Sequence, residues 1–79
     1  MPTPVRVPNL GAEATEARVV NWRRGIGDVV AAGEPLAEIE TDKAAVDLEA
    51  PVAGRLAEIL APVGTEVAVG TIIAMIDDA

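Results

Sequence analysis

The sequence predicts a small all-β domain, a sandwich or barrel built from two similar halves. Three observations point there. Gly25, Gly27, Gly33, Gly54, Gly64 and Gly70 punctuate the chain at short intervals, and closely spaced turns of that kind separate short strands. The chain carries a faint internal repeat, which decides architecture before any single element does. Its 79 residues are 51% hydrophobic with one aromatic, Trp22, so the core must be filled by small branched side chains.

The repeat is clearest around the glycines. Gly27-Asp28-Val29-Val30-Ala31-Ala32-Gly33 matches Gly64-Thr65-Glu66-Val67-Ala68-Val69-Gly70 with the same glycine spacing. At the same offset of 37, Leu36 to Glu40 falls on Ile73 to Asp77, and Arg18 to Val20 falls on Arg55 to Ala57. Further back the offset reads as 41, where Val5-Arg6-Val7-Pro8 meets Val46-Asp47-Leu48-Glu49. The first copy then carries about four extra residues within Asn9–Glu16.

Each copy reads as strands separated by glycine turns. Gly25-Ile26-Gly27 could open a phosphate loop, but it runs into Asp28 and a valine pair with no third glycine or helix signal, so it reads as a turn. Val46-Asp47-Leu48-Glu49 alternates apolar and acidic residues, as a half-buried strand does. Thr71 to Ile76 is a continuous apolar run, the pattern of a strand buried on both faces. Trp22, alone in a valine-rich strand, reads as core or rim packing. Residues 35–50 are the one stretch with a rival helical reading, because Pro35 suits a first turn and Pro51 a stop. As a helix, its apolar stripe of Leu36, Ile39, Val46 and Ala50 would have Lys43 in its middle, where a cation is costly to bury. The strand–turn–strand reading avoids that cost. Asp-Lys is not Asn-Gly, so a type I turn or a slightly longer loop is expected.

The organisation that follows is a single domain over residues 1–79, with half-repeats of about 4–40 and 45–77 joined by a 41–44 hairpin. Paired halves would pack with pseudo-twofold symmetry. The hairpin then protrudes at one end, with Met1 and Ala79 at the other.

Composition excludes several functions. The net charge of −7 opposes binding to nucleic acid or to anionic membrane surfaces, both of which need clustered Lys and Arg. No apolar run approaches the ~20 residues of a spanning helix. The first residues lack the basic and apolar regions of a signal peptide, so a cytoplasmic domain is the default expectation. With no Cys and no His, neither a disulfide nor a Cys/His metal site is available. The acidic residues lack EF-hand spacing and read as a solvated face, with no metal expected.

One residue stands apart. Lys43 is the only lysine, and it lies in Glu40-Thr41-Asp42-Lys43-Ala44, within a segment from Glu34 to Glu49 that holds six carboxylates. The chain also lacks Ser, Tyr and Gln, so Lys43 is the one side chain suited to covalent chemistry through nitrogen or sulfur. Acidic neighbours raise an amine's pKa above ~10.4, so an external enzyme would have to activate any acyl group joined to it.

Glu38 to Ala44, followed by Val46 to Pro51 and then Ala53-Gly54, closely resembles the lipoyl domains of 2-oxo acid dehydrogenase complexes. The resemblance spans nearly the whole chain. Val7 to Gly11 is similar to the family's first strand and loop entry, and Glu16 to Trp22 to its second strand. Gly27-Asp28-Val29-Val30 and Gly64-Thr65-Glu66-Val67 are similar to its paired Gly-Asp turns, with Thr65 as a departure. The resemblance implies a flattened barrel or sandwich of two four-stranded antiparallel sheets. It implies lipoic acid in amide linkage on Lys43, with Asp42 and Ala44 presenting the lysine, and no catalytic residue in the domain itself. It implies an extra loop within Asn9–Glu16 that rises beside the Lys43 hairpin and contributes to recognition. The implied partners are a lipoate ligase or lipoyl transferase, a thiamine-dependent 2-oxo acid decarboxylase, an acyltransferase core and dihydrolipoyl dehydrogenase. The domain is expected to be monomeric, and the chain suits an N-terminal domain excised from a longer acyltransferase. Biotin carrier domains are the nearest alternative; they have a similar fold and usually show Met on both sides of the lysine, where this chain has Asp42 and Ala44. An unmodified module used only for assembly is the other alternative.

Overall fold

The computed structural model describes residues 2–9, 15–42 and 44–78. Their strands are β1 (Pro2–Arg6), β2 (Glu16–Trp22), β3 (Val29–Val30), β4 (Pro35–Glu40), β5 (Ala45–Glu49), β6 (Gly54–Ile59), β7 (Glu66–Ala68) and β8 (Ile72–Asp77). They form two antiparallel four-stranded sheets, ordered β1-β8-β6-β3 and β5-β4-β2-β7. Neither sheet closes on itself, so the architecture is a sandwich. The helical alternative for 35–50 is absent: β4 and β5 pair there, with Glu38 opposite Asp47 and Glu40 opposite Ala45.

The core lies between the sheets. Val19, Leu36, Ile39, Leu56, Ile73 and Ile76 are fully buried, and no polar or charged side chain is buried among the described residues. Trp22 packs half-buried against this cluster, and its indole N–H donates to the Ala61 carbonyl at 2.8 Å. Core or rim packing is what the sequence reading expected; the hydrogen bond satisfies the polar end that such a half-buried Trp carries.

β8 is buried on both faces in part, with Ile73 and Ala74 both inaccessible. A register slip explains how neighbours on one strand can both be inside: Val5 faces Ala74 but Arg6 faces Ile72, leaving Ile73 as an extra residue. The same slip leaves Leu36 extra on β4, where Pro35 faces Glu49 and Ala37 faces Leu48.

The internal symmetry is written in the backbone hydrogen bonds. Gly27 N–H donates to the Leu56 carbonyl, and Gly64 N–H to the Val19 carbonyl, both at 2.7 Å. The return bonds, Leu56 N–H to Asp28 and Val19 N–H to Thr65, are both 2.9 Å. Gly27 and Gly64 have φ of 95° and 94°, a left-handed conformation that glycine adopts without a Cβ penalty. The Thr65 departure has a local cause. Asp28 accepts the Gly25 N–H on its carboxylate at 2.8 Å. The position equivalent to Gly25 is Pro62, which has no N–H to offer.

The symmetry corrects one sequence alignment. Val7 exchanges hydrogen bonds with Thr71 and Gly70, and Ala50 exchanges the equivalent pair with Glu34 and Gly33. Val7 therefore matches Ala50, an offset of 43 rather than 41, and the first half carries six extra residues rather than four. A slip of two residues leaves every side chain on its original face, so apolar alternation could not detect it. Under the corrected offset Val5 matches Leu48, and both are 2% exposed. Val46 matches Thr3 and is 39% exposed, so β5 buries less of its apolar face than its alternation suggests.

Two substitutions test this packing. A Cβ on Gly54 would clash with the Asp77 carbonyl oxygen and lie 2.7 Å from Ile76 Cγ2. Gly54→Ala should therefore cost ~1–3 kcal/mol, as overpacking against fixed atoms does. An unchanged thermal midpoint would show that β6 and β8 can part freely. Leu48→Ala removes a buried side chain and should cost ~2–5 kcal/mol, measured by denaturant titration; a loss below ~1 kcal/mol would mean that β5 is not packed as described.

Candidate functional site

The β4–β5 connection is the place where the chain leaves one half and enters the other. The ladder runs outward through Ile39 opposite Val46 and ends at Glu40 opposite Ala45. Beyond it, Thr41 and Ala44 are tied together. Thr41 N–H donates to the Ala44 carbonyl at 2.8 Å. The Thr41 hydroxyl donates to that same carbonyl at 3.1 Å and accepts the Ala44 N–H at 3.2 Å. Asp42 and Ala44 are exposed and Thr41 is half-buried. The sequence reading placed the covalent centre at Lys43, which lies outside the described residues; its neighbours on both sides are placed, and both face water. Thr41 went unremarked in the sequence. A β-branched hydroxyl residue at the last rung of a hairpin was the signal that could have found it.

The pseudo-twofold relates this hairpin to the open end of the chain. Glu40 and Ala45 correspond to Asp77 and Pro2, which also face each other across a ladder. Met1 and Ala79 lie outside the described residues. At this open end the Thr3 hydroxyl donates to the Asp78 carboxylate at 2.8 Å.

The insertion between β1 and β2 enters the same end of the sandwich as the hairpin. Arg18 on β2 faces Glu40 on β4, so Glu16 lies two residues further toward the hairpin tip. Its return leg is fixed: Thr15 accepts the Val69 N–H at 3.0 Å and Glu16 faces Ala68. The course of residues 10–14, on which the expected loop contact rests, lies outside the described residues.

The acidic face is mostly solvated. Glu40, Asp42 and Glu49 are exposed, and Asp47 pairs with Arg23 at 3.0 Å across the sheet surface. Among the described residues no group of three or more carboxylates could hold a metal ion. Glu34, just before β4, accepts the Ala31 N–H at 3.0 Å and a second bond from Arg24 Nε. The Ala31 bond first, and Arg24 second, hold its carboxyl below the ordinary 4.5. The arrangement is not a cleft. It is a fixed pedestal with a short tip between exposed residues, suited to carrying an attached group rather than to enclosing a substrate.

Comparison with known proteins places this geometry. The family model described as biotin-requiring enzyme matches residues 3–76. The dihydrolipoyllysine-residue succinyltransferase component of the 2-oxoglutarate dehydrogenase complex of Bartonella vinsonii is 46% identical over 77 residues, covering 98% of this chain and 19% of that protein. The dihydrolipoyllysine-residue acetyltransferase component of the pyruvate dehydrogenase complex of Corynebacterium glutamicum is 44% identical over 77 residues, covering 98% and 11%. The chain thus spans about a fifth or less of the length of these curated relatives. In structure it is similar to the lipoyl domain of the 2-oxoglutarate dehydrogenase complex of Azotobacter vinelandii, with a TM-score of 0.76, 25% identity and 95% of each chain covered. It also shares its fold with part of the urea carboxylase of Kluyveromyces lactis, with a TM-score of 0.82 and 23% identity, over 98% of this chain and 6% of that one.

The charge pattern yields a pH prediction. Glu34's folded pKa is depressed, so its contribution to stability is present above the unfolded value and is lost as pH falls through the lower folded value. Glu34→Gln should therefore be less stable than the parent at neutral pH, and the gap should shrink below about pH 4. A gap in thermal midpoint that stays constant down to about pH 2.5 would overturn this.

Proposed function

The chain belongs to the biotin-requiring enzyme family, and we propose that it is a lipoyl carrier domain of a 2-oxo acid dehydrogenase acyltransferase, modified on Lys43. The observation that carries the reading is the hairpin: its legs are fixed at Thr41 and Ala44, and the residues on both sides of Lys43, Asp42 and Ala44, are exposed. The identity of 44–46% to acyltransferase components over almost the whole chain supports it.

The residues fit an amide-linked arm. Such an arm needs an accessible amine on a rigid support, and the exposed neighbours of Lys43 provide access. Lysine contributes a flexible four-carbon stem. In the attachment step the deprotonated amine attacks the carbonyl carbon of an acyl adenylate made from lipoate and ATP. The C–N bond forms, the C–O bond to adenylate breaks, AMP leaves and one proton is released. Lipoic acid would supply a cyclic disulfide for reductive acylation by a thiamine-dependent 2-oxo acid decarboxylase, acyl transfer to coenzyme A in the acyltransferase core and reoxidation by dihydrolipoyl dehydrogenase. The domain's own part is position and recognition, since the hard chemistry belongs to the cofactor. Tethering raises the arm's local concentration at each active site. A cytoplasmic location and a monomeric state are parts of the same proposal.

Incubation with lipoate, ATP and a lipoate ligase should add one lipoyl group, mapped to Lys43 by peptide mass. A biotin ligase should modify the chain poorly. Efficient biotinylation without lipoylation would assign the domain to the other branch of the family. Lys43→Arg should fold with a stability change below ~0.5 kcal/mol, as exposed substitutions do, and accept no lipoyl group, because its guanidinium stays protonated. Strong destabilisation by this change would make the lysine structural.

The insertion yields a second test. Shortening residues 8–16 by six, to match the second half, should leave lipoylation largely intact but reduce reductive acylation by the cognate decarboxylase. Loops on a rigid scaffold commonly carry such specificity. Assaying pyruvate, 2-oxoglutarate and branched-chain decarboxylases side by side identifies the cognate complex. Equal acylation kinetics in parent and shortened domains would remove the loop from recognition.

A further inference from the structure

We propose that the Thr41 hydroxyl is a positioning device for the modification of Lys43, holding the hairpin tip in the conformation that a modifying enzyme engages. The inference rests on the carrier reading above and assigns a role to a residue two positions before the amine.

The geometry is specific. A hydroxyl can donate one hydrogen bond and accept others. Thr41 uses both capacities on the same residue, donating to the Ala44 carbonyl at 3.1 Å and accepting the Ala44 N–H at 3.2 Å. Together with the 2.8 Å bond from Thr41 N–H, this clamps the last rung before the Asp42–Lys43 tip. The rung below, Glu40 opposite Ala45, is an ordinary ladder pair. Among the described residues no further strand lies beyond the tip, and Asp42 and Ala44 are exposed. The clamp is therefore the tip's outermost restraint among the described residues.

The equivalent end of the molecule provides a contrast. Thr41 corresponds to Asp78, whose carboxylate accepts from the Thr3 hydroxyl at 2.8 Å. A hydroxyl stands at this position only in the first half, so it is not a product of the internal repeat. Symmetry alone would not have placed it there.

The consequence is one of populations. A modifying enzyme must bind the tip with the lysine aimed at a buried acyl carbon. If the tip samples several conformations, apparent affinity falls by the fraction that is competent. Losing the hydroxyl should thus raise KM and leave kcat close to the parent value. A hydrogen bond's net contribution corresponds to a population factor of about 2–10, so the expected rise in KM is ~5-fold.

The test compares the parent with Thr41→Val, which loses the hydroxyl and keeps the branched shape, and Thr41→Ser, which keeps the hydroxyl and loses the methyl. Initial rates of lipoylation by a lipoate ligase are measured against domain concentration. Hydrogen exchange at the Ala44 amide is followed by NMR on the unmodified proteins, with thermal midpoints as a folding control. The expected result is a ~5-fold higher KM and faster Ala44 exchange for Thr41→Val, kcat within twofold, and near-parental values for Thr41→Ser. Parental KM in Thr41→Val, or equal losses in both variants, would overturn the proposal. A raised KM with unchanged Ala44 exchange would also overturn it, because Thr41 would then be a direct contact. If the parent itself accepts no lipoyl group, the carrier reading fails, whereas a modified parent with an equally good Thr41→Val refutes this inference alone.

Discussion

The structure depends on a reciprocal pair of hydrogen bonds between its halves. Each half forms a left-handed glycine turn, and each turn donates to the inner strand of the other half: Gly27 to Leu56 on β6, and Gly64 to Val19 on β2. Sheet membership follows the same exchange. One sheet takes β1 and β3 from the first half and β6 and β8 from the second; the other takes β2 and β4 with β5 and β7. Neither half owns a complete sheet. A half-chain would leave its apolar face uncovered and its turn donors without their cross-half acceptors, and the exposed apolar area is the larger cost. The two copies are therefore one folding unit, which suits a small domain with no disulfide and no aromatic core.

Symmetry of this kind separates scaffold from function. Where the halves agree, in the glycine turns, the register slips at Leu36 and Ile73, and the buried Val5 and Leu48, the residues serve packing. Some disagreements are structural too. Thr65 stands where Asp28 does because Pro62 has no N–H for a carboxylate to accept. Two disagreements have no such local cause. The first half carries six extra residues before β2, whose return leg at Thr15 and Glu16 lies toward the hairpin end, and it has threonine at 41 where the second half has Asp78. That coincidence gives the domain one distinguished end.

Much of this was legible in the sequence, for physical reasons that can be named. Equal glycine spacing revealed the repeat because left-handed turns leave few substitutes for glycine. Lys43 in the middle of an apolar helical stripe argued against a helix at 35–50. Leu48 was legible as an inward residue, whereas Val46, on the same apolar alternation, proved 39% exposed. Alternation reports which face a side chain takes and not how far the opposite sheet extends over it. The two-residue misalignment of β1 had the same origin, since period-two patterns repeat under that shift. The Thr41 clamp was hidden for another reason: threonine is common in strands, and only geometry distinguishes a bonded hydroxyl from a solvated one.

The fold does not by itself say what is attached. Part of the urea carboxylase and the lipoyl domain share this fold, with TM-scores of 0.82 and 0.76. Discrimination must therefore reside in side chains that the fold leaves free, and those are concentrated at the tip. Asp42 puts an exposed carboxylate on one side of the Lys43 position, and Ala44 leaves the other side small. A modifying enzyme reading this tip meets a charge and an open flank, where paired methionines would offer apolar bulk. The strands beneath contribute only stiffness. Stiffness is nonetheless part of recognition, because a small difference in side-chain chemistry can be read only if the tip is presented the same way at each encounter. Among the described residues the outermost restraint on that tip is the Thr41–Ala44 pair, and two of its three hydrogen bonds use the threonine hydroxyl.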